Sequence, residues 1–445
     1  MHWAAADLVA ATGGRLVTGG GEVTGIAIDT RTIRPGGLFV ALRGERDGHD
    51  FLADAVAAGA GGVLVEAGRS RRSGIMAIEV PDTARALLAV GSAARTRLAA
   101  ADVVGITGSV GKTSTKDLVT AAVAATRTVT SSEKSFNNEL GVPLTLANAP
   151  ESTEVAVIEM GARGPGHIAL LCEIARPNIA VVTAVAAAHT EAFGSLDQIA
   201  EAKGELVEAL ADGGHAVLNY DDERVRGMAA RSAGASKVFY SRAGDARADL
   251  VAEDTRLDGD LRPGFRARTP WGTAEVQLEA RGLHQVGNAL ASLAVACVCG
   301  VPLEAAASAL ADAGLSPWRM EVSRTSSGTT VINDAYNANP ASVSAALDAL
   351  AALPAARRIA VLGEMAELGE RSAEEHADIA AKADARGIEV LAVGTAAYGT
   401  RAVPDVDSAL EFLRSKELGP GDAVLVKASR VVGLERLAAL LLAGG

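Results

Sequence analysis

The chain has 445 residues, of which 49% are hydrophobic and 22% are charged, and its formal net charge at pH 7 is −12. At roughly 150 residues per domain, this length predicts about three domains, each with a hydrophobic core. The acidic balance disfavours a general nucleic-acid or acidic-membrane surface, so an anionic ligand would need helix N-termini and individual basic side chains.

The first strand runs, "VTGIAID", "LFVAL", "GVLVE" and "IMAIEV", lie within residues 1–97, with a helical pattern between the second and third. They predict a small α/β domain. Residues 98–314 alternate strand and helix patterns, which predicts a parallel sheet with helices on both faces. Within this part, residues 248–280 carry hairpin-like turns and predict an antiparallel insertion at the sheet edge. Residues 315–445 repeat the alternation and predict a doubly wound, Rossmann-like sheet.

The cysteines and the N-terminal segment indicate the cellular compartment in which the protein is expected. Cys172, Cys297 and Cys299 form no disulfide framework and lack zinc-binding spacing, and "ALASLAVACVCG" places the last two in a core segment. The N-terminus lacks the basic and then apolar pattern of a signal peptide, and the apolar runs are interrupted. We therefore expect a cytoplasmic protein with no membrane span and no nucleic-acid partner.

The segment "VVGITGSVGKTSTK", residues 103–116, reads as a strand, a glycine-rich turn and a helix start. A strict P-loop would have glycine where Ile106 stands, but Gly108 and Gly111 still allow backbone N–H groups to surround phosphates. Lys112 would pair with the β- and γ-phosphate oxygens, and the Thr113 hydroxyl would face Mg²⁺. The segment predicts a nucleotide site.

Three further residues are candidates on local grounds, each with an ordinary alternative. Glu159 ends an apolar strand, where a buried carboxylate needs a metal or an arginine; the alternative is a salt-bridged strand end. His189 follows another apolar strand and is either a metal ligand or a structural histidine. Lys203 has the periodicity of a packed helix, but local evidence favours a surface lysine paired with Glu201 or Glu205.

The ordered motifs resemble those of the Mur ligases, ATP-dependent enzymes that extend the peptide of the cytoplasmic cell-wall precursor. The resemblance covers essentially the whole chain and rests on "DTRTIRPGGLFVALRGERDGHDF", "TGSVGKTSTK", "SFNNELGVPLTL", "VIEMGA", "AAAHTEAFGS", "AKGE", "GLHQVGNALAS", "SPWRME", "NDAYNANPASVSAAL", "GEMAELGE" and "VLVKASR". Within the family, the motifs favour the member that adds D-alanyl-D-alanine to UDP-N-acetylmuramoyl-tripeptide.

This resemblance implies a function, cofactors and domain roles. ATP would convert the tripeptide carboxylate into an acyl phosphate, which the amine of D-Ala-D-Ala then attacks. The cofactors would be ATP, two Mg²⁺ ions and a CO₂-derived carbamate on Lys203, which first requires a neutral, buried amine. Residues 1–97 would bind the UDP substrate, residues 98–314 ATP, and residues 315–445 the incoming dipeptide of a monomeric enzyme.

Site residues follow from the resemblance position by position. The catalytic residues would be Lys112, Glu159, His189 and Lys203. The ATP site would comprise Thr107, Gly108, Ser109, Val110, Gly111, Lys112, Thr113, Ser114, Asn288, Arg319 and Asp334. Substrate contacts would come from Asp29, Thr30, Arg31, Asn137, Asn138, Tyr336, Asn337, Lys427, Ser429 and Arg430. The metal ligands would be Thr113, Glu159, His189 and carbamylated Lys203.

Three positions depart from the family pattern, and other functions remain as alternatives. Gln285 stands where the family usually has asparagine, Trp318 where a smaller residue is common, and Ala428 where glycine is frequent. The alternatives are the Mur ligase that adds the third residue, a folate polyglutamate ligase, a P-loop ATPase switch, and an α/β scaffold that binds no nucleotide. The "DTRTIRPGGLF" segment argues against the folate enzyme.

Overall fold

The structure is a computed structural model that describes residues 1–70, 74–133, 135–187 and 190–444. The chain folds into three α/β domains in sequence order, as predicted. No helix in the described part of the chain is long and apolar enough to cross a membrane.

The N-terminal domain is built on a mixed sheet flanked by helices. Its strands are β1 (His2–Ala4), β2 (Arg15–Thr18), β3 (Glu22–Thr24), β4 (Ile26–Ala27), β5 (Leu38–Val40), β6 (Gly62–Glu66) and β7 (Met76–Val80), and its helices are α1 (Ala5–Thr12), α2 (Leu52–Ala57) and α3 (Thr83–Arg97). The sheet order is β2–β7–β6–β5–β4, and β1 pairs separately with β3. The four predicted strand runs correspond to β3–β4, β5, β6 and β7, whereas β1 and β2 were not predicted.

The central domain contains the phosphate-loop segment on a long sheet. Its strands are β8 (Asp102–Thr107), β9 (Val129–Ser131), β10 (Val155–Glu159), β11 (Ile179–Val182), β12 (His215–Asn219), β13 (Ser236–Ser241), β14 (Leu250–Leu257), β15 (Pro263–Thr269) and β16 (Gly272–Gln277). Its helices are α4 (Lys112–Ala124), α5 (Gly141–Asn148), α6 (His167–Ala175), α7 (Thr190–Phe193), α8 (Leu196–Glu208), α9 (Glu223–Gly227), α10 (His284–Val298) and α11 (Leu303–Ala309).

The central sheet has the order β16–β15–β14–β13–β12–β11–β8–β10–β9. Strands β8 to β13 pair in parallel, and β14–β15–β16 pair antiparallel, which confirms the predicted edge insertion. Buried clusters lie on both faces of the sheet. The carboxyl ends of the central parallel strands β8, β10 and β11 therefore meet at one edge, where ligand sites form in such sheets.

The C-terminal domain is a second parallel sheet with helices on both faces. Its strands are β17 (Glu321–Arg324), β18 (Thr330–Asn333), β19 (Arg357–Leu362), β20 (Glu389–Val393), β21 (Arg401–Val403) and β22 (Asp422–Lys427), and its helices are α12 (Pro340–Ala352), α13 (Ser372–Asp384), α14 (Val406–Ser415) and α15 (Glu435–Ala443). The order is β17–β18–β22–β19–β20–β21, and the pairs are parallel except β17–β18. This arrangement confirms the Rossmann-like prediction.

The N-terminal domain contacts the central domain through polar and apolar groups. The Trp3 indole N–H donates to the Ala147 carbonyl at 3.1 Å. The Asn148 side chain accepts from the Ile26 amide at 2.8 Å and donates to the Ile26 carbonyl at 2.9 Å. Helices α3 and α5 meet closely, since a Cβ at Gly91 would lie 2.4 Å from Cβ of Pro143.

The C-terminal domain contacts the central domain at separate points around the phosphate loop. Leu261, between β14 and β15, is buried in the C-terminal core. The Ser316 amide donates to Asp117 Oδ2 at 2.7 Å, and the Glu191 amide donates to the Glu367 carbonyl at 3.2 Å. The carboxyl end of the C-terminal sheet thereby faces the edge of the central sheet that carries residues 107–114.

Candidate active site

The phosphate loop connects β8 to α4 in a conformation that requires glycine. Gly108 has φ +151°, and a Cβ there would lie 1.8 Å from Thr183 Oγ1. Gly111 has φ +84°, and its Cβ would lie 2.8 Å from Asn288 Oδ1. Side chains at either position would clash or strain the loop, so only glycine fits the turn at these two positions.

Hydrogen bonds fix this loop to the chain after β11. The Thr183 hydroxyl donates to the Val110 carbonyl at 2.5 Å, and the Ser109 amide donates to the Ala184 carbonyl at 2.8 Å. Ser109 Oγ donates to the Ala186 carbonyl at 2.9 Å and accepts from the Ala186 amide at 3.0 Å. The loop is thus held in position before any phosphate binds.

Lys112 begins helix α4 and lies inside the loop. Its Nζ donates to the Gly108 carbonyl at 2.7 Å. Burial lowers the pKa of the Lys112 ammonium, and Arg319 lowers it further, whereas the charge of Glu159 opposes the shift. A phosphate entering the loop would supply the negative charge that favours the ammonium form.

Glu159 is the carboxylate around which the site is organised. It ends β10 and is 1% exposed. Its Oε2 accepts from the Thr113 hydroxyl at 2.8 Å, and its Oε1 accepts from Asn137 Nδ2 at 2.7 Å. The structure therefore brings together three residues that are far apart in the sequence. The Glu159 carboxylate and the Thr113 hydroxyl supply oxygens of the kind that Mg²⁺ prefers, and Asn137 orients the carboxylate.

Lys203 lies on α8 and is 4% exposed, with a pKa lowered to about 7 by burial and by the charge of Lys112. The alternative of a surface lysine paired with Glu201 or Glu205 is wrong. Glu201 instead pairs with Arg231, and Glu205 accepts from the Gly166 and Ala169 amides near the start of α6. Near neutral pH, much of Lys203 is therefore a neutral amine, the form that reacts with CO₂.

The lowered pKa of Lys203 gives a testable effect on stability. Unfolding restores the pKa of Lys203 toward the ordinary lysine value of 10.5, so unfolding takes up a proton between pH 7 and 10.5 and stability rises with pH across this window. We expect Lys203→Met to raise the free energy of unfolding by about 2–4 kcal/mol at pH 7, with a gain that disappears toward pH 10.5. Urea unfolding in CO₂-free buffer measures this.

Lys416→Met, at a partly exposed lysine that pairs with Glu389, provides the matched control for that experiment. A gain for Lys203→Met that does not change with pH would show that packing alone is responsible.

Asn288 lies one helix turn below the start of α10 and supports the phosphate loop. Its Oδ1 accepts from Thr115 Oγ1 at 3.1 Å, and its Nδ2 donates to Gln285 Oε1 at 2.8 Å. Both amide atoms therefore have protein partners in this arrangement. Contact between Asn288 and adenine stays a prediction, and Gln285 joins this network rather than interrupting it.

A cavity of about 500 Å³ lies between the start of α10 and helix α12. Its lining includes Arg242 and His284 from the central domain and Pro340, Ala341 and Ser344 from α12. Burial lowers the pKa of His284 to about 4, so this ring is neutral at physiological pH. The cavity is large enough for a flat group, and Asp348 and Lys382 add charged side chains to its largely aliphatic lining.

Asp334 and Lys427 form a buried ion pair at the carboxyl end of the C-terminal sheet. Lys427 Nζ lies 2.6 Å from Asp334 Oδ2 and donates to the Asn337 carbonyl at 2.8 Å. Asp334 Oδ1 accepts from the Met320 amide at 3.1 Å. Lys427 and Asp334 thus hold the loop at residues 334–337 in the present arrangement, and direct ligand contacts by either residue stay predictions.

Arg319, before β17, and Tyr336, in the loop at residues 334–337, lie together on the side of the central domain. The Arg319 guanidinium lies 4.1 Å from the centre of the Tyr336 ring, and Tyr336 Oη hydrogen-bonds Ser135 Oγ. Arg319 Nε is buried and has no hydrogen-bond partner among the described residues. A donor of this kind beside the phosphate loop is suited to an anion.

Other predicted contacts have structural partners of their own. Asn138 Oδ1 accepts from the Gly141 amide at 3.0 Å, next to the start of α5. Ser429 Oγ accepts from the Ala366 amide at 2.9 Å. Asp29 pairs with Arg31 at 2.5 Å at the turn residues Thr30–Thr32, and hydrogen bonding to Arg31 lowers the pKa of Asp29 to about 2. Their substrate contacts stay predictions.

The predicted metal ligands are only partly among the described residues. Glu159 and Thr113 are in contact, whereas His189 lies outside the described residues. No cluster of three or more His, Cys, Asp or Glu residues suited to a metal is found in the described ranges. The oxygens of Glu159 and Thr113 nevertheless fit a hard divalent cation.

Sequence reasoning missed two residues that shape the site. Asp117 accepts from Ser316 in the linker to the C-terminal domain, and Thr183 holds the loop at Val110. Asp117 lies two residues beyond "GKTST", but nothing local to the sequence identifies its partner.

Comparison with known proteins places the chain in a family. Residues 22–106 match the Mur ligase family catalytic domain, residues 106–296 the Mur ligase middle domain, and residues 318–430 the Mur ligase glutamate ligase domain. The chain belongs to the Mur ligase family. A relative of this Mur ligase in Mycobacterium tuberculosis, UDP-N-acetylmuramoyl-tripeptide–D-alanyl-D-alanine ligase, is 43% identical over 95% of this chain and 93% of its own length.

Solved structures of family members resemble this Mur ligase over its whole length. MurF from Acinetobacter baumannii superposes with a TM-score of 0.90 at 29% identity and covers 100% of this chain and 99% of its own. MurF from Thermotoga maritima in complex with ADP has a TM-score of 0.81 at 29% identity, covering 95% and 97%.

Proposed function

We propose that this Mur ligase adds D-alanyl-D-alanine to UDP-N-acetylmuramoyl-tripeptide at the expense of ATP, forming the pentapeptide precursor of peptidoglycan. The observation that carries the proposal is the 43% identity, over 95% of the chain, to an enzyme named for that reaction. The phosphate loop supports it, because the reaction begins with a phosphoryl transfer: Thr113 contacts Glu159, and the charge of Glu159 acts on Lys112.

The proposed reaction has two steps. A carboxylate oxygen of the tripeptide attacks the γ-phosphorus, the bond to the β-phosphate bridging oxygen breaks, and ADP leaves. The free amine of D-Ala-D-Ala then attacks the acyl carbon, phosphate leaves with the former carboxylate oxygen, and the nitrogen loses a proton. Catalysis of the first step consists mainly of positioning and of neutralising crowded negative charge.

The described site residues have proposed roles in positioning ATP and neutralising its charge. The loop from Thr107 to Ser114 would surround the phosphates, with Lys112 moving from the Gly108 carbonyl to the γ-phosphate. Arg319 would add its unpartnered Nε donor from the C-terminal domain. The cavity beside His284 would take the adenine, with Asn288 supporting the loop below it.

Divalent cations complete the proposed site. Thr113, Glu159, His189 and carbamylated Lys203 would hold Mg²⁺, which supplies charge neutralisation at the phosphoryl oxygens when bound. Within the chain, Asn137 and Thr113 orient the Glu159 carboxylate, and the burial of Lys203 keeps its amine available for CO₂.

Substrate placement, compartment and assembly complete the proposal. Residues 1–97 would bind the uridine nucleotide through Asp29, Thr30 and Arg31, residues 98–314 ATP, and residues 315–445 the dipeptide. We also propose a cytoplasmic monomer, and the free state of all three cysteines is consistent with a reducing compartment. Sedimentation equilibrium tests the monomer.

Phosphate release and product mass together test the function. With ATP and Mg²⁺ present, we expect rapid phosphate release only when UDP-N-acetylmuramoyl-tripeptide and D-Ala-D-Ala are both added, together with a new UDP-linked pentapeptide. A P-loop ATPase switch would instead hydrolyse ATP at full rate without the dipeptide. An enzyme that adds the third residue would consume the UDP-linked dipeptide and ignore the tripeptide.

A further inference from the structure

The backbone of Trp318 adopts an unusual conformation in the linker to the C-terminal domain. Its φ is +60°, in the left-handed region that side chains other than glycine rarely adopt, and Met320 follows with φ +53°. Contacts on both sides hold it there. The Trp318 amide donates to Glu321 Oε1 at 2.9 Å, and its carbonyl accepts from the Tyr336 amide at 3.2 Å. The backbone of Trp318, from which the indole projects, is therefore held by partners within the C-terminal domain.

The indole covers one face of a guanidinium from the other end of that domain. The Arg430 guanidinium carbon lies 4.3 Å from the centre of the Trp318 ring. Arg430 Nη1 also lies 2.7 Å from Glu435 Oε1, while its side chain stays half exposed. A guanidinium has five N–H donors in one plane, so a stack on one face and an ion pair at one edge leave donors for a planar anion.

A second arginine emerges from the same turn. Arg319, adjacent to Trp318, stacks on Tyr336 at 4.1 Å, and its charge lowers the pKa of Lys112 in the phosphate loop. The turn thus carries one guanidinium close enough to influence Lys112 and stacks its Trp318 indole on another. In the proposed reaction the C-terminal domain would bind the incoming dipeptide, and the free carboxylate of that dipeptide is an anion for the second guanidinium.

We propose that Trp318 is a positioning residue that holds Arg430 in the orientation required to bind the C-terminal carboxylate of the incoming dipeptide. The inference rests on the proposed function and adds to it the residue that controls acceptor specificity. Arginine and a carboxylate form paired, directional hydrogen bonds, so fixing the plane of the guanidinium favours the carboxylate over a neutral amide of the same shape.

The test compares two acceptors, D-Ala-D-Ala and its C-terminal amide, in the wild type and in Trp318→Leu and Trp318→Phe. We expect the wild type to prefer the acid. Trp318→Leu should lower kcat/KM for D-Ala-D-Ala about tenfold, change it for the amide less than about twofold, and leave the KM for ATP unchanged. Trp318→Phe should retain an intermediate preference. Trp271→Leu, at an exposed tryptophan on the turn before β16, should match the wild type.

Several results would overturn the inference. The first is a wild-type enzyme with equal kcat/KM for the acid and the amide. The second is an equal loss of kcat/KM for both acceptors in Trp318→Leu. The third is an effect of Trp318→Leu on the KM for ATP alone, which would assign Arg430 to a phosphate. If Trp318→Leu does not fold, the same comparison with Trp318→Phe decides, since equal effects on both acceptors or no effect would contradict us. A wild type that joins neither acceptor would instead refute the proposed function.

Discussion

Lys203→Ala is expected to lower the ligation rate by about a thousandfold or more, and formate or acetate should restore part of it. Alanine removes the amine that would carry the carbamate, and with it one anionic ligand of the proposed metal site. The pKa of about 7 makes the carbamate chemically accessible, because a neutral amine is the reactive form. A short carboxylate can occupy the cavity left by the side chain and supply the missing negative charge. Initial rates of pentapeptide formation measure both effects.

The matched control for Lys203 is Lys416→Ala, which removes a partly exposed lysine paired with Glu389 in the C-terminal domain. It should have full activity and no response to formate. Full activity of Lys203→Ala would contradict the proposed role, and so would a loss that no carboxylate restores when the variant is as stable as the wild type.

Glu159→Gln is expected to lower kcat by about two to three orders of magnitude and to raise the Mg²⁺ concentration needed for half-maximal rate. The substitution keeps the shape of the side chain but removes its charge. It also creates a conflict, because both carboxylate oxygens accept hydrogen bonds, from Thr113 and from Asn137. The new amide NH₂ group must then face either Asn137 Nδ2, where two donors meet, or Thr113, whose hydroxyl must turn from donating to accepting; either change loses a hydrogen bond to a charged carboxylate.

Mg²⁺ titrations of the rate for the wild type and Glu159→Gln measure this effect. Glu151→Gln removes the charge of an exposed carboxylate near Arg97. It is the control and should behave as the wild type. An unchanged Mg²⁺ dependence in Glu159→Gln would remove Glu159 from the proposed metal site.

The phosphate loop and the three domains could be predicted from the sequence because their signals are local. Gly108, Gly111, Lys112 and Thr113 follow an apolar strand in direct succession, and the positive φ values at both glycines are the reason for that pattern. Glu159 could be identified for the same reason, since it ends an apolar strand. The parallel sheets follow from the alternation of strand and helix patterns.

The environment of Lys203 could not be predicted from its neighbours in the sequence. Glu201 and Glu205 stand at helical spacing, yet Arg231 and the start of α6 bind these carboxylates from elsewhere in the fold. Lys203 is left facing the interior, which only the tertiary arrangement reveals.

Edge strands and contacts between domains were also beyond local reasoning. Strands β1, β2, β17 and β21 are three or four residues long, and such short edge strands form through tertiary pairing rather than intrinsic propensity. Contacts such as Asp117 with Ser316 join residues 199 positions apart. The stack of Trp318 on Arg430 likewise depends on two ends of one domain meeting.

The transfer of labelled oxygen tests most directly whether ATP activates the peptide carboxylate. The tripeptide is prepared with ¹⁸O in its terminal carboxylate and ligated in unlabelled water, and the released phosphate is analysed by mass spectrometry. Activation through an acyl phosphate predicts one ¹⁸O atom in each released phosphate, carried over from the carboxylate. Unlabelled phosphate formed at the same rate as the pentapeptide would contradict it.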